Sequence, residues 1–201
     1  MVDAYTIEQG SSLVKAARSS IELQIKSPYF NPEIVEKGME KVEGDDIVAI
    51  RLVHHPTKTL RGFFVMGEKA GSIVKSVIDA ALNAAFKGEG AIPLSDLELP
   101  ETSIELHIMA EPVPVAGSYI MRLSAIDLKK DGIIIEYGSH KGMLLPVHAK
   151  ERGLDRRGYL EAACEAAGLP KNYWMQPKVK LFKFDTQTFS EESPNGDVVQ
   201  R

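Results

Sequence analysis

Ile47–Met66 runs IVAIRLVHHPTKTLRGFFVM. The segment Ile47–Val53 is β-branched and apolar on both faces, the pattern of a strand in the middle of a sheet. His54–Thr59 contains Pro56 and reads as a turn, and Leu60–Met66 is a second apolar run. Two such runs around a short turn predict an antiparallel hairpin. Arg61 is the anomaly. Alternate residues of a strand share a face, so Arg61 lies with Phe63 and Val65, while Leu60, Gly62, Phe64 and Met66 point to the core. An arginine keeps its proton and must find water, an acid or an anion. Three arrangements meet that need. Arg61 sits near a strand end and snorkels along Phe63; it pairs with an internal carboxylate, Glu105 being the first candidate; or it lines a cleft and grips an anionic ligand with two prongs. Gly62 suits all three, since its missing side chain leaves room beside Arg61 for a backbone or a ligand.

Helical periodicity flanks this hairpin. Thr6-Ile7-Glu8-Gln9 has capping-box form, and Leu13, Val14, Ala17, Ile21 and Ile25 then recur at helical spacing, predicting a helix over 7–26 weakened at its start by Gly10. Asn31-Pro32-Glu33 signals a second, short helix with proline at its first position. Ser72 caps a third, whose stripe is Ile73, Val74, Val77, Ile78, Ala81, Leu82 and Ala85, with Gly88 as its stop and a loop to Pro100. Ser103–Met109 alternates: Ile104, Leu106 and Ile108 face one way, Glu105 and His107 the other, a strand with one polar face. The 111–117 segment reads as extended, and 118–128 fits strand or helix. Ile133–Tyr137 and Met143–Leu145 are strands joined by a five-residue loop, 138–142. Asp155 caps a helix with Tyr159, Leu160, Ala163, Cys164 and Ala167 on its core face, ended by Gly168 and Pro170. Val179–Phe184 is the last strand, and 190–201, polar with Pro-Asn-Gly, reads as a flexible tail. Helices and strands mix without a regular βαβ rhythm, so the fold class is α+β with mostly antiparallel sheet packed with helices.

Composition narrows the functional classes. The 201 residues carry a net charge of −4, which argues against nucleic acid or an anionic membrane as the main partner. There is no signal-peptide pattern at the start and no apolar run near the roughly 20 residues of a membrane helix, so a soluble cytoplasmic protein is expected. Cys164 is the single cysteine and reads as a buried core thiol. The five histidines lack a helical i, i+4 pair, so no metal site is predicted and no cofactor is called. Gly88-Glu89-Gly90 follows a helix, lacks a third glycine, and is no phosphate loop. Ser139, in Gly-Ser-His-Lys-Gly, is no nucleophile elbow.

At these residues the chain resembles the AMMECR family. The family hallmark Leu-Arg-Gly-Cys-Ile-Gly stands here as Leu60-Arg61-Gly62-Phe63-Phe64-Val65. The run Ser72–Val77, the block Gly132–Gly138 with Lys141–Pro146, and Tyr159–Trp174 with its Ala167-Gly168-Leu169-Pro170 are also similar to family members. The resemblance runs from the first helix to Phe189. It implies an α+β fold of two lobes with a cleft between them, a single domain over 1–189, and cytosolic relatives, often archaeal. It also implies pathway partners of the Memo-like and radical-SAM kinds, and no settled reaction. Two departures matter. The hallmark cysteine is Phe63, so a nucleophilic cysteine at that position is unavailable here. A second family pattern, Asp-Pro-Arg-Phe-Pro-Pro, falls on residues 88–93 and keeps only Pro93.

Two main functions remain open. A binding module would use a cleft near Arg61 for a small anionic ligand or partner segment, with Gly62, Glu105, His107, His140 and Lys141 on its walls. An enzyme of unassigned class would use Glu105 or His107 as general base and Arg61 as anion clamp. A scaffold without a small ligand is a third, blander reading.

Overall fold

β1 (Ile47–His54) and β2 (Thr59–Val65) form the predicted antiparallel hairpin. It belongs to a computed structural model that describes residues 5–39, 42–87 and 92–201. These fall into two units, one of residues up to 109 together with 187–201, the other of residues 110–186. Both are α+β with antiparallel pairing.

In the first unit the sheet runs β2–β1–β3–β7, with β8 beside β7; β3 is Thr102–Met109, β7 Lys180–Glu191 and β8 Val198–Gln200. β1 pairs with β3 without interruption from Ile47↔Met109 to His54↔Thr102. One sheet face therefore shows Val48, Ile50 and Leu52 beside Ile104, Leu106 and Ile108, all essentially sealed from solvent. Each such side chain contributes about 1.5–3 kcal/mol when buried. Two helices use this apolar surface. α1 (Ile7–Lys26) starts on the predicted Thr6/Gln9 capping box. α3 (Ile73–Phe86) starts on Ser72, whose hydroxyl accepts from Lys75 N–H. α3 packs against β1 and β2, and α1 against α3, β3 and β8. The glycine that weakens the start of α1 has a packing reason: a Cβ at Gly10 would overlap the ring of Phe189 in β7. The short α2 is Glu33–Gly38, with Pro32 as its cap rather than its first turn. Gly88, the expected stop of α3, lies outside the described residues.

Two expectations are overturned in this unit. The β1–β2 register passes from Leu52↔Gly62 to Val53↔Leu60, so Arg61 is the extra residue of a β-bulge. Gly62 then shares the face of Leu52, whereas Leu60 shares that of Val53. The bulge turns Leu60 off the core face on which strict alternation put it, and it is half exposed. The flexible tail expected at 190–201 is a hairpin instead. Ser190 and Glu191 finish β7, and Phe189↔Gln200 to Glu191↔Val198 pair β7 with β8. Its anchor is electrostatic. Glu191 takes Arg18 Nε and Nη2 of α1 on its two oxygens at 2.5 Å, and it also accepts from Ile104 N–H. A local composition reading does not register this partner, which is 173 residues away in the chain.

In the second unit β7 is flanked by β5 (Asp131–Tyr137) and the short β4 (Val113–Pro114), and β6 (His140–Leu144) pairs with β5. The ambiguous 118–128 segment holds α4 (Tyr119–Ser124), capped by Ser118. α5 is Pro146–Glu151 and α6 Arg156–Ala166, the latter capped by Asp155 as predicted. The core joins Ile133, Ile135, Tyr159, Leu160, Cys164 and Trp174. Tyr159 donates its hydroxyl proton toward the carbonyls of Leu144 and Asp131. The β5–β6 connection is tighter than expected. Tyr137 pairs with His140, leaving a two-residue turn of Gly138 and Ser139, with Gly138 at φ 60°. Glycine at the first turn position suits that left-handed backbone.

Candidate functional site

The β1–β3 register sets Arg51 opposite Glu105 and Ala49 opposite His107, and β2 sets Phe63 beside Arg51. Paired residues share a face, so Arg51, Phe63, Glu105 and His107 all stand on the side of the sheet away from α3. This is the polar face that the sequence predicts for β3, but it is not a solvated one. Arg51 is 1% and His107 3% exposed. Arg51 Nη1 donates to Glu105 Oε2 at 2.5 Å, and His107 Nε2 lies 3.8 Å from the same oxygen. His107 Nδ1 is 2.9 Å from Thr188 Oγ1 on β7. Burial pushes the Glu105 carboxyl up, but His107 and then Arg51 outweigh it, with a further pull from Arg201, and the net shift is downward. Arg201 is held beside this face by a hydrogen bond from its Nε to Ser190 Oγ, 2.6 Å, and from its backbone N–H to Thr188 O. Glu105, with a side chain 19% accessible, is thus a fixed, ionised acceptor.

Arg61 is engaged elsewhere, and its expected partner Glu105 is corrected to Glu98. Its Nε donates to Glu98 Oε1 at 2.7 Å and its Nη2 to Oε2 at 3.2 Å, while Nη2 also reaches the Ile92 carbonyl at 2.9 Å. The reason is strand order. β1 lies between β2 and β3, so Glu105 meets the arginine of β1, and the arginine of β2 turns to the 92–98 loop. Glu98 accepts from Ser95 N–H and Oγ as well. The Arg61 hydrogen bond, followed by that of the Ser95 backbone, lowers its pKa to about 2. Gly62 has a packing role: a Cβ there would collide with the Ala84 carbonyl oxygen of α3. The hallmark Arg-Gly pair thus fastens one loop and admits one helix.

The AMMECR1 family profile matches residues 14–189. The chain belongs to the AMMECR1 family. A protein of Methanococcus aeolicus is 32% identical over 200 residues, covering 99% of both chains. One of Methanopyrus kandleri is 31% identical over 207 residues, covering 100% of this chain and 97% of the other. The crystal structure of an uncharacterized protein from Pyrococcus horikoshii superposes with a TM-score of 0.89 at 28% identity, covering 96% of this chain and 97% of that one.

Within this AMMECR1 chain the other predicted residues have local partners. His140 and Lys141 belong to the 110–186 unit and sit in β6, not on a loop tip. His140 Nδ1 is 3.1 Å from the Ala167 carbonyl, and Lys141 Nζ is 3.3 Å from Glu136 on the neighbouring strand. Arg61, Gly62, Glu105 and His107 share the first unit. Phe63, at the hallmark cysteine position, is half-buried on the polar face. Cys164 is sealed in the core, where burial raises its pKa. Three site residues escape a sequence reading: Arg51, Thr188 and Arg201. Arg51 had a signal, since it interrupts an apolar strand as Arg61 does. Thr188 and Arg201 had none, because only pairing within the sheet carries them to Glu105.

Proposed function

We propose that this AMMECR1-family protein is a binding module whose recognition surface is the polar sheet face around Glu105, and that it takes a small anionic ligand or an acidic partner segment. The observation that carries this reading is the concentration of positive charge at that face: the guanidinium groups of Arg51 and Arg201 both act on the carboxylate of Glu105. Arg201 spends its Nε on Ser190 and keeps both terminal nitrogens without a hydrogen bond among the described residues. Phe63 supplies an apolar flank. Arg61 contributes mainly by shaping the edge strand. Its two-pronged edge is taken by Glu98, which leaves only Nη1 without a hydrogen bond among the described residues. His140 and Lys141 are assigned no part in this site.

The enzyme reading has less support. A general base works best with a pKa near the operating pH, and Glu105 is shifted the other way. The Memo-like and radical-SAM proteins implied by the family resemblance are first candidates to supply an acidic segment. We place the protein in the cytoplasm with them; no described helix is long and apolar enough to cross a membrane.

A thermal-shift panel of orthophosphate, pyrophosphate, citrate and glutamate tests the proposal on wild type, Arg201→Ser and Arg61→Ala. A ligand of this face stabilises wild type, loses most of its effect in Arg201→Ser, and keeps most of it in Arg61→Ala. Equal stabilisation of wild type and Arg201→Ser by every anion would refute the assignment.

A further inference from the structure

We propose a second binding site in the first unit, a cavity beside α1 that accepts a small, neutral, apolar secondary amide. The cavity measures about 590 Å³, within the range that small ligands occupy. Ile25, Leu99, Pro100 and Pro194 give it apolar walls, and Arg18 lines it from α1. Arg18 is 5% exposed. Its Nε and Nη2 serve Glu191 and the Thr102 carbonyl, while Nη1 makes no hydrogen bond among the described residues. Both N–H groups of Nη1 are unused by the described residues, and they stand at the edge of the cavity beside its apolar walls, placed to donate to an acceptor from a ligand.

Charge decides the class of that acceptor. Arg18 and Lys26 supply two positive charges. Glu22 and Asp96 on the walls and Glu191 behind Arg18 supply three negative ones. The surroundings are net negative, so a carboxylate or phosphate is repelled while a neutral carbonyl meets a polarised N–H without that cost. Glu22 and Asp96 in turn accept a proton donor. One carbonyl, one N–H and an apolar body make up a secondary amide. This site is separate from the polar face and does not depend on the anion-binding proposal.

NMR titration of the full chain, reading backbone amides and arginine guanidinium signals, tests it with N-isobutylacetamide, isobutyl acetate and 4-methylpentanoate. The amide is expected to shift Arg18 and residues 96–100 saturably, with a dissociation constant on the order of 1 mM for so small a ligand. The ester, lacking the N–H, should bind about five- to tenfold more weakly, and the carboxylate more weakly than the ester. Ile25→Trp fills the cavity without touching the Arg18–Glu191 pair and should abolish the shifts. Glu22→Gln with Asp96→Asn leaves the core alone and should weaken the amide to the level of the ester. The proposal falls if the amide does not bind saturably, if the ester or carboxylate matches it, or if binding survives in a folded Ile25→Trp protein.

Discussion

Glu105→Gln is the sharpest probe of the polar face. Arg51 is 99% buried, and Glu105 is the carboxylate that its Nη1 meets, at 2.5 Å. Neutralising one partner of a buried pair withdraws compensation from the other charge, at a cost of up to about 3–5 kcal/mol. Glutamine keeps the size and one oxygen acceptor, and Glu105 retains some solvent access, so about 2–3 kcal/mol is expected at pH 7. Arg51→Met with Glu105→Leu removes both charges and should cost clearly less than the two single substitutions summed, a coupling that a double-mutant cycle reads directly. pH supplies a second signature. The folded pKa of Glu105 lies below its unfolded one, so the folded state binds this proton less readily. Its stabilisation is full above the unfolded carboxylate range and fades as the pH falls through the lower folded value. The wild-type advantage over Glu105→Gln should therefore shrink in acid. The assay is urea unfolding followed by far-UV circular dichroism and by amide exchange in β1 and β3. Fluorescence of Trp174 is the wrong probe, because that residue belongs to the other unit. A Glu105→Gln cost below about 0.5 kcal/mol at pH 7, or an additive cycle, would refute the reasoning.

Three further outcomes follow from the same contacts. Gly62→Ala forces a Cβ onto the Ala84 carbonyl and should cost about 1–3 kcal/mol as an overpacked contact, measured by denaturant midpoint; Gly67→Ala, whose Cβ meets nothing within 4 Å, is its control. Arg61→Ala frees Glu98 and the 92–98 loop. Because Glu98 is 40% exposed, screening limits the stability loss to about 1 kcal/mol or less, but limited proteolysis should cut the loop faster. Since the Glu98 pKa is about 2 when folded against 4.5 unperturbed, the contribution is full above pH 4.5 and lost toward pH 2, and acid should erase the difference from wild type. Deleting residues 190–201 removes Glu191 and strands the buried Arg18; a loss of about 3–5 kcal/mol is expected, and a truncated chain unfolding at the wild-type urea midpoint would contradict the role given to the C-terminal hairpin.

Local pattern was enough for most elements, because the signals for them sit within a few residues. Thr6 with Gln9 marks the start of α1, Ser72 and Asp155 those of α3 and α6, and alternation in 103–109 marks β3 with its apolar and polar faces. The α+β class and the membership of the AMMECR1 family were legible on the same terms. Distance along the chain marks the limit. Whether Glu105 meets Arg51 or Arg61 depends on β1 standing between β2 and β3, a fact of strand order that no local spacing contains. The bulge at Arg61 moves Leu60 to the opposite face, and only the register with Val53 reveals it. The residues after Phe189 are polar and carry turn signals, so alone they read as loose. Pairing with β7 and the charge on Arg18 give them their structure. The sequence by itself determined which segments are helix or strand and which side of each is apolar, since periodic burial follows from backbone geometry. Tertiary structure decided which charges pair and therefore where the site lies, since a buried charge takes whichever opposite charge the fold brings to it.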